Sequence, residues 1–125
     1  MKTSIYNQHQ EHSEWMNKLA FYKDEIPVMQ SRIEEISSKN TAKEVSMKIE
    51  HFQNQLLIKA TTISRLVHHI QKEEKVLQAD IANNPTAADH RKVEDHSEER
   101  QMVETFEQDF NAFRKELNLF LSEWM

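Results

Sequence analysis

The sequence predicts an all-α protein, an up-down-up antiparallel bundle of three long helices. Three observations lead to this prediction: none of the 125 residues is glycine, good helix formers are abundant, and apolar residues recur at heptad spacing. Without glycine, the chain lacks the residue on which tight hairpin turns and phosphate-binding loops depend. Its length is that of one ordinary domain, so residues 1–125 are expected to form a single helical-bundle domain.

Two short segments interrupt the helical pattern. In the first, Asn40 can adopt the left-handed conformation that ends a helix, and Thr41 with Glu44 forms a capping box for the next helix. In the second, Pro85 pushes the preceding Asn84 into extended backbone. The predicted helices therefore cover about 4–39, 42–82 and 87–124.

Apolar residues mark the side of each helix that we expect to be buried. They occupy the a and d positions of successive heptads, the pattern typical of coiled-coil packing. The series continues in phase through Pro27, which favours a kinked single helix over two separate ones. The stripe consists of Ile5, His12, Trp15, Leu19, Tyr22, Ile26, Met29, Ile33 and Ile36 in the first helix; of Val45, Ile49, Phe52, Leu56, Ile63, Leu66, Ile70 and Leu77 in the second; and of Val103, Phe106, Phe110, Phe113, Leu117, Phe120 and Trp124 in the third.

Histidine and glutamate interrupt this stripe at one end of the bundle. Short connections make neighbouring helices antiparallel. Counting outward from each turn then places the start of the first helix, the end of the second and the start of the third at one level. We expect five side chains to converge there, with His9 beside them: His12, His69, Glu73, His96 and Glu99.

Two interpretations of this polar end remain open. One is a site for a transition metal (Zn, Fe, Mn or Ni), because imidazole nitrogens and carboxylate oxygens suit these ions. The other is a polar core layer without a cofactor, in which histidines and glutamates satisfy one another. The sequence favours the polar layer, because seven histidines make some coincidence expected and Arg100 in the same layer could bind Glu99.

Several apolar residues fall outside the core stripe and at similar levels of the bundle. We expect Phe21, Val28, Leu57 and Leu119 to form one exposed apolar patch. A contiguous patch of this kind marks an interaction surface. The sequence therefore predicts a homodimer or a complex with a helical protein partner.

No catalytic constellation is recognisable, so the chain is not expected to be an enzyme. Lys59 occupies a d position, where a buried amine can act as a nucleophile, but we expect it to reach solvent or to pair with Glu25. The net charge of −5 and the dispersed basic residues argue against nucleic-acid and membrane partners. The lack of cysteine leaves the compartment open, but the N-terminus has no apolar signal core and no apolar run could span a bilayer, which favours the cytoplasm. The expected function is that of a non-enzymatic scaffold or interaction protein, with a metal-binding bundle as the alternative.

Overall fold

The structure is a computed structural model that describes residues 2–83, 92–94 and 97–125. It confirms the predicted all-α class and the three-helix bundle. The helices are α1 (Ile5–Lys39), α2 (Lys43–Asn83) and α3 (Ser97–Trp124), and two three-residue strands accompany them, β1 (Lys2–Ser4) and β2 (Lys92–Glu94). Side chains at the start of α1 bind side chains at the end of α2, and the end of α2 binds the start of α3. Neighbouring helices are therefore antiparallel, as predicted.

The strand pair changes the predicted start of the third helix. β1 and β2 pair antiparallel, with Lys2 opposite Glu94 and Ser4 opposite Lys92. Residues 92–94 thus give their backbone hydrogen bonds to the beginning of the chain, and α3 begins at Ser97 instead of residue 87. The predicted turn at Asn84 and Pro85 lies outside the described residues.

The connection between α1 and α2 lies where the sequence places it, with different capping details. Asn40 is in extended backbone, at φ −132° and ψ 121°, and is not left-handed. Its backbone N–H and its side-chain amide both donate to the Ile36 carbonyl at 3.0 Å, which closes α1 without a glycine. The Ala42 carbonyl accepts the first hydrogen bond of α2 from Ser46. The N-cap position therefore falls one residue after the predicted Thr41.

Helix α1 is a single helix, as the phase of its heptads predicts. The hydroxyl of Ser4 caps its first turn by accepting the N–H of Asn7 at 3.1 Å. The helix continues through Pro27 to Lys39, and the apolar residues on both sides of the proline belong to one buried core.

The predicted stripe forms the core of the bundle. Its apolar members are buried, apart from the half-buried Trp124. Helices α1 and α2 pack closely, whereas α3 lies further from both. The core face of α3 carries four phenylalanines, whose bulk accounts for the wider spacing. Rings from two helices meet at the centre, where Tyr22 lies 4.7 Å from Phe110 between ring centroids.

Three ion pairs join α1 to α3 at intervals of one heptad. Two of them are bidentate, with Arg100 on Glu11 and Arg114 on Glu25. Partners in these pairs are 89 residues apart, and the same offset applies to the middle pair. Signs alternate along the series, which consists of Glu11–Arg100, Lys18–Glu107 and Glu25–Arg114. One register of α3 along α1 satisfies all three pairs.

The first prediction concerns the centre of the core. Phe110 is fully buried, so Phe110→Ala should lower the free energy of unfolding by about 3–5 kcal/mol. Urea denaturation followed by circular dichroism measures the change. Phe21 is 62% exposed, and the matched variant Phe21→Ala should change the free energy by less than about 0.5 kcal/mol. Equal effects at both positions would contradict the assignment of the core.

The second prediction concerns the ion-pair series. The single variants Glu25→Ala and Arg114→Ala, combined in a double-mutant cycle, should give a coupling energy of about 1 kcal/mol, because both groups are partly buried. The exposed pair of His51 with Glu116, 3.5 Å apart, serves as the control. Its coupling should be near zero, because both side chains are exposed. No coupling between Glu25 and Arg114 would mean that this pair does not hold the register.

Candidate functional site

The polar end predicted from the sequence consists of two clusters on successive turns near the end of α2. One faces α1 and is called the Glu74 cluster, made of His9, His12, Glu74 and Gln78. The other faces α3 and is called the Glu99 cluster, made of His69, Glu73 and Glu99. The predicted convergence is therefore divided between the two sides of α2.

The Glu74 cluster joins two histidines of α1 to one carboxylate of α2. Glu74 Oε1 lies 2.7 Å from His12 Nδ1, and Oε2 lies 2.5 Å from His9 Nδ1. Gln78 donates its side-chain amide to Oε2 at 2.7 Å. An ionised carboxylate only accepts, so both histidines present Nδ1–H to it. This hydrogen bond explains how His12, which is 2% exposed, is accommodated in an apolar stripe.

The surroundings of Glu74 favour its ionised form. Burial raises the pKa of Glu74, but the hydrogen bonds from Gln78, His12 and His9 together lower it more. The net pKa lies below the ordinary value of 4.5. A carboxylate with a depressed pKa stabilises the folded state above its unfolded pKa, and this contribution is lost as the pH falls through the folded pKa.

Glu74 is not among the residues predicted from the sequence, whereas its neighbour Glu73 is. Glu73 has the d position, whereas Glu74 has the e position beside it. A signal was nevertheless present, because Glu74 is four residues after Ile70 and three before Leu77, both buried. Residues at these spacings share one side of a helix.

The Glu99 cluster contains three of the five predicted metal-ligand candidates. One possible ligand atom from each of His69, Glu73 and Glu99 lies within 4.8 Å of the others. His69 Nε2 is 2.9 Å from Glu99 Oε1, and all three residues are half-buried. Of the other candidates, His12 binds Glu74, and His96 lies outside the described residues.

Arg100 was expected to compete for Glu99. Its Nε and Nη2 atoms instead donate to the two carboxylate oxygens of Glu11, at 2.7 and 2.9 Å. This bidentate pair is the first of the three that set the register of α3. It directs the fork of the guanidinium toward α1.

The four predicted interface residues are all exposed, and the grooves that they line are not the same. Phe21 and Val28 line a groove between α1 and α3, called the Phe21 groove. Leu119 lines a groove between α2 and α3, together with Met47, called the Leu119 groove. Leu57 is 66% exposed and lines neither groove. The patch was predicted from levels along the bundle, which do not reveal the side of the helix.

A further groove continues the α2–α3 side toward the start of α3. This groove of about 460 Å³, called the Ile58 groove, lies above the buried Leu66 and Phe106 and is rimmed by Ile58 and Met102. Since α2 and α3 are antiparallel, the Ile58 and Leu119 grooves follow each other along one face. The exposed apolar residues of this α2–α3 face are Met47, Ile58, Met102 and Leu119.

Lys59 lines the Ile58 groove. Its ammonium group is 4.9 Å from the centre of the Phe113 ring, so the amine stays near the surface above the aromatic core. Burial lowers the pKa of Lys59, and the nearby Asp109 and Glu116 partly offset this effect. The suggested partner Glu25 binds Arg114 instead.

The third prediction concerns Glu74. Glu74→Ala removes the acceptor of the buried His12, so the free energy of unfolding at pH 7 should fall by about 1–3 kcal/mol. The difference from the wild-type protein should shrink as the pH falls from 4.5 through the lower pKa of Glu74 in the folded state, because the unfolded chain takes up the proton first. Urea denaturation between pH 3 and 7 measures both effects. The exposed Glu34→Ala is the matched control, and an equal loss in that variant would contradict the role of Glu74.

None of the helices in the described ranges is long and apolar enough to cross a membrane. Comparison with protein-family models, with curated proteins and with solved structures finds no match to this chain.

Proposed function

We propose that this protein is a non-enzymatic interaction module that forms a homodimer through its α2–α3 face. One observation carries the proposal: four large apolar side chains are at least half exposed on this face, at Met47, Ile58, Met102 and Leu119. Apolar surface of this kind is stabilised when a second helical surface removes it from water. A cytoplasmic location stays part of this proposal.

Charge complementarity favours a second copy of the same chain as the occupant. The Ile58 groove has two basic residues and one acidic residue, whereas the Leu119 groove has one lysine and two acidic residues beside His51. A two-fold axis midway along the face would place each groove of one protomer against the other groove of its partner. At both ends of the interface, a groove with an excess of basic residues would then face a groove with an excess of acidic residues. The residues concerned are Lys59, Arg65 and Asp109 in the first groove and Lys48, Glu116 and Glu123 in the second.

The dimensions of the face are adequate for a small interface. On α2 it extends from Met47 to Leu66, roughly 30 Å at 1.5 Å per residue. Two neighbouring helices are together about 20 Å wide, so each protomer would bury roughly 600 Å². This area is at the lower end of the range for specific interfaces, which favours a dimer that dissociates on dilution.

The fourth prediction tests this dimer. Light scattering at micromolar concentrations should give twice the chain mass of 14.9 kDa. The double variant Ile58→Glu plus Leu119→Glu should be monomeric, because it places carboxylates in the centre of an apolar contact. Circular dichroism should show unchanged helix content, since both side chains are exposed in the isolated chain.

The matched control is Phe21→Glu plus Val28→Glu, which places two carboxylates in the Phe21 groove between α1 and α3. This variant should remain dimeric. If the control is monomeric while the Ile58/Leu119 variant remains dimeric, the dimer does not form through the α2–α3 face. A wild-type protein that is monomeric at all concentrations would overturn self-association and point to a different helical partner.

A further inference from the structure

We propose that His69, Glu73 and Glu99 bind a divalent transition-metal ion between the end of α2 and the start of α3. This inference is independent of the proposed dimer, because it rests on side chains within one chain. Of the two clusters at the polar end, the metal site expected as the alternative is placed in the Glu99 cluster.

The geometry of the Glu99 cluster is close to that of a three-ligand metal site. His69 and Glu73 are one turn apart on α2, so their side chains extend from the same side of the helix. Glu99 approaches from α3, and the three ligand atoms lie within 4.8 Å of one another. Ligands at about 2.0–2.2 Å from a tetrahedral ion are roughly 3.3–3.6 Å apart. The 2.9 Å between His69 Nε2 and Glu99 Oε1 shows that two of them already come this close.

The donor set determines the class of ion. One imidazole nitrogen and two carboxylate oxygens suit first-row divalent ions such as Zn²⁺, Mn²⁺ and Fe²⁺. Two ionised carboxylates have the charge that neutralises such an ion. Binding would replace the hydrogen bond between His69 and Glu99 by two metal–ligand bonds. The His69 side chain is 41% exposed, so an ion can enter from solvent and water can complete its coordination.

The two clusters at the polar end differ in the donors that they bring together. Both carboxylate oxygens of Glu74 are engaged by His9 and His12, so that cluster has the properties of a structural layer. Arg100 binds Glu11 through two donors. The Glu99 cluster instead brings one nitrogen and two oxygen donors to a single point at the half-buried junction of two helices.

The test is a titration of the untagged full-length protein after treatment with chelator. Isothermal titration with Zn²⁺ and separately with Mn²⁺ should give one ion per chain, and elemental analysis after dialysis should confirm the stoichiometry. An ion that binds only the folded state stabilises it. The melting temperature should therefore rise by roughly 10 °C when the free ion exceeds its dissociation constant a hundredfold.

Variants locate the ion. His69→Ala and Glu99→Gln should each weaken binding by about tenfold or more and remove most of the thermal shift. His68→Ala changes the adjacent exposed histidine, and His51→Ala changes a histidine that pairs with Glu116 at the other end of the bundle. Both controls should bind the ion like the wild-type protein.

Two measurements keep the test decisive if a variant is less stable. Melting in the presence of chelator gives each variant its own baseline, so the metal-dependent shift is read separately from folding. The visible spectrum of added Co²⁺ should contain the bands of a protein-bound ion with the wild-type protein. These bands should be absent with Glu99→Gln. Absence of a stoichiometric ion with Zn²⁺, Mn²⁺, Fe²⁺ or Ni²⁺, or an equal loss in the His68 and His51 controls, would overturn the proposal.

Discussion

The register between α1 and α3 is the constraint on which the rest of the molecule depends, and charge decides it. A heptad pattern repeats every seven residues, so burial of apolar residues alone allows α3 to slide along α1 by one heptad. In that shifted register Glu11 would face Glu107, and Lys18 would face Arg114. The observed register replaces these repulsions with three ion pairs of alternating sign. It also sets the level of Glu99, and thereby places it beside His69 at the end of α2.

The two clusters at this end differ in what their geometry allows. In the Glu74 cluster, hydrogen bonds occupy both carboxylate oxygens and join α1 to α2. This network accounts for a buried histidine at a position that would otherwise hold leucine, and it needs no ion. In the Glu99 cluster the donors come from α2 and α3 and meet at a half-buried point. The structural and the metal-binding interpretations therefore apply to different side chains.

The aromatic core of α3 stabilises the bundle and also shapes the surface through which we propose that the protein associates. Its phenylalanines fill the centre of the bundle and hold α3 away from α1 and α2. The wider spacing leaves open grooves on both sides of α3, and apolar side chains on their rims stay in water. Closing these grooves within one chain would require smaller core residues. In the dimer that we propose, a second helical surface would cover the α2–α3 grooves without that loss of packing.

The sequence by itself determined the helical class, the extents of α1 and α2, the buried stripe and the level at which polar residues gather. These features follow from local capping chemistry and from a periodicity that each helix expresses alone. Only the tertiary structure decided which neighbour each polar residue meets. Glu73 and Glu74 differ by about 100° around the helix, and the hand of the bundle determines which of them faces α1. The same hand separates Phe21 from Leu119. The start of α3 also depends on a segment far away in the sequence, because residues 92–94 pair with the beginning of the chain. No pattern within residues 92–94 reveals that partner.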